Sequence, residues 1–232
     1  MNPTGTDRPR VLVTRRIPSS VLRTLESSCD VEVNDAPALP QPELAARLRD
    51  KAGLVCVLTD RIDDEVLRSA PALKVVANIA VGYDNIDVGA ARRRGIVVTN
   101  TPDVLTEATA ELTWALILSA ARRIGEGERL VRRGEWKGWT LDFMLGTELR
   151  GKRLGVIGRG RIARAVAAKA PAFGMTAVIA KEDISLDELL VTSDVISIHT
   201  SLRPDTRHLI DQRALARMKR TAILVNLSLI HI

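Results

Sequence analysis

Residues 152–169, KRLGVIGRGRIARAVAAK, decide how the chain is to be read. Residues 154–157 form a short apolar run closed by a glycine, the pattern of a strand buried in a parallel sheet, and residues 162–170 carry apolar side chains at helical spacing. The turn between them, Gly158-Arg159-Gly160-Arg161-Ile162-Ala163, has the form G-x-G-x-x-G/A with alanine in its last place. Its first glycine permits a tight strand-to-helix turn, its second lets backbone approach a pyrophosphate, and the small Ala163 lets the helix pack closely on the strand. The helix start adds unpaired N–H groups and a positive dipole end. Six such residues alone could be a plain glycine-rich turn; the strand before and the helix after point to a dinucleotide site.

Composition narrows what surrounds this turn. A chain of 232 residues, 46% of them hydrophobic, has enough apolar surface for one large domain or two modest ones. Cys29 and Cys56 lie far apart without ligand spacing, so neither a disulfide nor a metal site is expected, and a reducing cytoplasm fits. The net charge of +6 would suit nucleic acid, but the arginines are scattered over many segments and aromatic residues make up only 3%, which argues against that partner. The most apolar helical run, residues 112–121, is too short to span a bilayer, and the polar N-terminus does not read as a signal peptide. The expectation is a cytoplasmic protein with no membrane and no nucleic-acid partner.

Along the chain, strand-like and helix-like segments alternate. Strands are expected at 10–14, 30–33, 53–58, 73–80 and 96–99, with helices at 19–28, 42–51, 63–69 and 87–94 between them. Residues 106–133 read as one long bridging helix, followed by a loop at 132–145 holding Trp136 and Trp139. Those rings either plug a domain surface or pack on a second subunit. Beyond the fingerprint come strands at 176–180, 195–199 and 222–225 and helices at 186–191 and 212–219. Such alternation with short connections predicts an α/β protein with parallel sheets covered on both faces. The second sheet would hold about four strands, where a complete dinucleotide domain has six.

Residues 76–88 (VANIAVGYDNIDV), 98–112 (VTNTPDVLTEATAEL), 134–139 (GEWKGW), 155–162 and 218–226 (MKRTAILVN) together resemble the D-isomer-specific 2-hydroxyacid dehydrogenases, in their glyoxylate/hydroxypyruvate reductase branch. The resemblance runs from residue 10 to 226. It implies two doubly wound parallel-sheet domains, a flavodoxin-like substrate domain over 1–104 and a Rossmann domain over 105–232. The implied cofactor is NAD or NADP, and the implied reaction is hydride transfer to a small 2-oxo acid to give a D-2-hydroxy acid. It also implies a homodimer through the long helix and the tryptophan loop, Trp139 reaching the neighbour's pocket. Backbone N–H groups of Val81 and Gly82 would bind the substrate carboxylate, although Gly82 also suits a simple turn. Thr106 would lie beside the cofactor, and equally suits a helix N-cap. Gly158, Gly160, Arg161 and Ile162 would cover the pyrophosphate, with Thr200 beside the adenosine. Relatives of this fold also act as non-catalytic dinucleotide-binding modules, and others reduce different 2-oxo acids, phosphoglycerate dehydrogenase among them; both alternatives stay open.

Two departures from the family pattern stand out. An aspartate that accepts from the ribose hydroxyls usually ends the second nucleotide-domain strand; Lys181 stands there, followed by Glu182 and Asp183, and roughly a dozen residues are missing before Ser185. A lysine there should weaken discrimination against NADP. The family's catalytic arginine, glutamate and histidine are the second departure: Leu229 occupies the arginine position and the other two would lie further on. No catalytic residue is therefore assigned within the chain. His199 and His208 fall at ordinary family positions and His231 matches none. Residues 227–232 are expected to be non-native, the Rossmann domain truncated, and the chain as it stands inactive.

Overall fold

A computed structural model describes residues 8–36, 38–201 and 203–227. Apart from Leu227, the expected non-native segment, with Leu229 and His231, lies outside the described residues. The chain divides into two compact units on either side of the Pro102–Asp103 link.

In the first unit, β1 (Arg10–Val13), α1 (Ser19–Glu26), β2 (Asp30–Val33), α2 (Gln41–Arg47), β3 (Gly53–Cys56), α3 (Asp64–Arg68), β4 (Val75–Asn78), α4 (Val88–Arg93) and β5 (Val97–Thr99) alternate without exception. All four strand pairings are parallel and the order is β2-β1-β3-β4-β5, the flavodoxin-like arrangement. Leu12, Leu54 and Val76 from adjacent strands are wholly buried in one cluster with Leu44 and Leu67 from the helices and Leu48 just after α2. Helix starts are set by side chains: Asp63 accepts from the N–H of Val66 and Asp87 from that of Ala90, so each satisfies an orphan donor of its helix.

The second unit begins with α5 (Thr106–Ala121) and α6 (Ile124–Arg132), then runs β6 (Arg153–Ile157), α7 (Arg161–Lys169), β7 (Thr176–Ile179), α8 (Leu186–Thr192), β8 (Val195–Ile198), α9 (Gln212–Arg217) and β9 (Ile223–Asn226). Its parallel sheet has the order β7-β6-β8-β9. The strand that would lie outside β7 in a full Rossmann sheet is reduced to one parallel bridge, Ala180 to Ile184. Gly155, in the middle of β6, is needed for packing: a Cβ there would lie 2.4 Å from Ser193 Oγ and 2.6 Å from Leu189 Cδ2, so α8 sits directly on the strand backbone.

The single helix expected over 106–133 is two. Arg123 takes a left-handed conformation, φ 56°, which ends α5 and redirects the chain into α6. The returning loop seals the break, since the Thr147 N–H donates to the Ala121 carbonyl at 2.7 Å and Gly146 packs so closely that a Cβ would lie 2.6 Å from the same oxygen.

Candidate functional site

The two glycines of the fingerprint answer to different constraints. Gly158 has φ 124°, and a Cβ there would fall 2.3 Å from the His199 carbonyl oxygen and 3.1 Å from the Thr200 nitrogen; the end of β8 leaves no room for a side chain. At Gly160 a Cβ would meet nothing within 4 Å. This is the open side of the turn, where a ligand can come up to backbone. Gly160 caps α7 without a side-chain hydrogen bond, so the first N–H groups of that helix keep their donor capacity. Ala163 is wholly buried, which gives the close helix-to-strand packing expected of it.

A cleft of about 370 Å³ opens at the carboxyl ends of β6, β7 and β8, where the strand order reverses between β6 and β8. Gly158, Arg159 and Gly160 form one wall, Lys181 a second, and His199, Thr200 and the turn at 203–209 a third. The site thus brings together Gly158, Gly160, Lys181 and Thr200. A dinucleotide fits this donor set: a glycine turn open to a pyrophosphate, a helix N-terminus, and cationic walls. His199 is partly buried, and its Nε2 shares a 2.8 Å hydrogen bond with the buried Ser197 hydroxyl. Burial pushes the imidazole pKa down to about 4, so the ring is neutral at physiological pH.

The other predicted residues sit elsewhere. Arg161 points to Asp103, Nε to Oδ1 2.8 Å, joining the starts of α7 and α5. Ile162, half-buried, packs against the hydrophobic core of the unit. Thr106 opens α5 with its N–H on the Asp103 carbonyl at 3.0 Å; Leu105 holds the N-cap position, so Thr106 is not the cap.

The short link after β7 is a closed turn. Lys181 is left-handed, φ 62°; its N–H donates to the Ile184 carbonyl, and the N–H groups of Glu182 and Asp183 both reach back to the Ile179 carbonyl. The Asp183 carboxylate accepts from the Ile179 N–H at 2.6 Å, and Glu182 is held by Arg164 through two 3.0 Å contacts.

In the first unit, the loop after β4 has its carbonyls pinned while two of its amides are left unpaired. Carbonyl oxygens of Ala80, Val81 and Gly82 accept from the Thr101 N–H, Asn100 Nδ2 and Asn78 Nδ2, at 2.9, 2.8 and 2.8 Å. Asn78 is buried, and its Oδ1 in turn accepts from the Cys56 thiol, whose pKa burial raises to about 12. The N–H groups of Val81 and Gly82 have no hydrogen-bond acceptor among the described residues. Two adjacent unpaired amides on a stretch whose carbonyls are engaged are the kind of donor pair that an anion can use. Sequence reading picked out Val81 and Gly82 but missed Asn78 and Asn100, which hold them. Both lie inside the quoted family stretches, and a buried Asn at a strand end is the signal that could have flagged Asn78.

Comparison with known proteins gives the family. Residues 114–229 match the model of the D-isomer specific 2-hydroxyacid dehydrogenase, NAD binding domain. A glyoxylate reductase of Aeropyrum pernix is 50% identical over 237 residues, covering 94% of this chain and 71% of the relative. A crystal structure of a Thermus thermophilus protein superposes with a TM-score of 0.88 at 48% identity, over 94% of this chain and 73% of that one. An acyclic imino acid reductase in complex with NADPH and D-Arg gives 0.82 at 29% identity, over 94% and 73%. The chain belongs to the D-isomer specific 2-hydroxyacid dehydrogenases. Its second unit is the NAD-binding domain of that family, and its first carries the flavodoxin-like sheet.

Proposed function

We propose that this chain supplies the 2-oxo acid site and the cofactor site of an NAD(P)-dependent reductase of glyoxylate or hydroxypyruvate, giving glycolate or D-glycerate. Residues 1–104 serve as the substrate domain and 105–232 as the cofactor domain. The observation that carries the substrate class is the loop at Val81 and Gly82. Two unpaired amides on a stretch with pinned carbonyls suit one small carboxylate, and they ask for no particular side chain on the acid, as glyoxylate requires.

Within the cofactor domain, Gly158 fits the turn against β8 and Gly160 leaves its face open, so the α7 amides would hold the pyrophosphate and Thr200 the adenosine portion. Arg161 would hold a phosphate only on leaving its ion pair with Asp103, and Thr106 and the Ile162 amide would hold the dinucleotide as the family pattern implies. A bound nicotinamide dinucleotide supplies the hydride. The carbonyl oxygen then needs a proton, and the histidine that lines the cleft is not suited to give it. His199 is neutral down to about pH 4 and engaged by Ser197. The 232-residue chain is thus read as competent to bind but not to turn over, with the arginine, glutamate and histidine of the family needed in addition. Exposed Trp136, Trp139 and Leu141 mark the surface on which a second subunit packs.

The test is oxidation of NADH and NADPH with glyoxylate and hydroxypyruvate, by this chain and by a form extended along the continuation of its gene. Turnover by the extended form alone is expected. Cofactor binding without turnover in either form would favour a binding module, and strong turnover by the 232-residue form would overturn the assignment of the proton donor.

A further inference from the structure

We infer that the cleft selects a dinucleotide carrying a 2′-phosphate, with Arg159 and Lys181 as the specificity-determining residues; this rests on the cofactor reading above. A ribose with free hydroxyls is recognised by a carboxylate just beyond the second strand of the sheet, and a 2′-phosphate by cations there. Three acidic residues are near enough in the chain or the cleft to act as that carboxylate, and each is committed. Glu182 is clamped by Arg164 and does not line the cleft. Asp183 accepts the Ile179 N–H and closes the turn. Asp205 lines the cleft but is paired with Arg203 through two 3.1 Å contacts.

Against these, Arg159 and Lys181 both line the cleft, and neither side chain has a hydrogen-bond or ion-pair partner among the described residues. Lys181 is in the cleft because of its backbone. The left-handed conformation at 181 turns the chain so that the lysine stays on the cleft side while residues 182 and 183 fold back towards α7 and β7. Two unpaired cations flanking a site with no available carboxylate would leave a ribose diol without an acceptor and give a dianion two charge-assisted partners.

Calorimetric titration of the 232-residue chain with adenosine 2′,5′-bisphosphate and with AMP, which differ only in the 2′-phosphate, isolates this term from catalysis. The bisphosphate should bind roughly ten-fold tighter or better, by an advantage that shrinks as salt is raised. Lys181→Asp, an acid that tolerates the left-handed backbone, should reverse the order; Arg159→Ala should erode the advantage of the bisphosphate over AMP. Equal affinities in the wild type, or a preference that survives Lys181→Asp, would overturn the inference alone. Failure of both nucleotides to bind would overturn it together with the cofactor reading.

Discussion

At residue scale, Gly158 and His199 are two halves of one contact, and each makes a prediction. Gly158→Ala drives a methyl into the His199 carbonyl, a backbone atom that cannot step aside, at a φ that alanine avoids. A loss of at least about 3 kcal/mol is expected in chemical denaturation, from overlap and backbone strain together. His199 sets a pH dependence. Its unfolded imidazole binds a proton near pH 6.5, while the folded one withholds until about 4, so the unfolded state is the more protonated between these values. Stability is therefore complete above pH 6.5 and falls as pH drops through the window, by at most about 3 kcal/mol. Denaturation midpoints above and within the window should diverge in the wild type and converge in His199→Asn; equal slopes for both would contradict the assignment. These details were only partly visible in the sequence. The fingerprint gave the need for glycine at 158 and 160, but that one is closed by β8 and the other open depends on a strand forty residues later. The role of Asn78 was hidden for the same reason, since its partners are loop carbonyls rather than a motif.

Among the elements, strand and helix alternation was legible almost throughout, because parallel strands buried on both faces read as continuous apolar runs. Element ends drifted by a residue or two, and by four at the C-terminal end of α2, as helix termini do. The break at Arg123 was not legible: residues 106–133 keep apolar spacing, and what interrupts them is a left-handed arginine sealed by a loop from residues 146–147. The shortening after β7 was legible as a gap in the family pattern, but not the closed turn that holds Glu182 and Asp183 away from the cleft. Gly155 belongs to this scale, as its missing side chain fixes how α8 sits on β6. Gly155→Ala should cost about 1–3 kcal/mol, since Leu189 must leave its packed position to admit the methyl. Leu189→Ala in the same background makes room and should recover part of what Gly155→Ala costs, a coupling that a double-mutant cycle would measure. Strict additivity of the two would contradict direct packing.

For the whole molecule, the two units have distinct cores and distinct candidate sites, the loop at residues 81–82 in the first and the cleft beside the glycine turn in the second. Among the described residues no helix is long and apolar enough to cross a membrane. Exposed apolar residues are spread along the chain, and five of them, Trp136, Trp139, Leu141, Phe143 and Leu145, fall close together in the tryptophan loop, with Trp139 75% exposed and Leu141 81%. If that surface joins two copies, Trp139→Ala should weaken association by about 2 kcal/mol or more. Sedimentation across a concentration series reads this directly, and a monomer at all concentrations, unaffected by the substitution, would contradict it.

The central claim is that the turn at 158–163 holds a nicotinamide dinucleotide, and binding of NADPH and NADH to the 232-residue chain tests it most directly. Calorimetric titration should show one saturable site per chain. Gly160→Val puts a side chain into the open face of the turn, so it should abolish that binding while the unfolding midpoint stays close to that of the wild type. No saturable site in the wild type, or unchanged affinity in a folded Gly160→Val chain, would contradict the account.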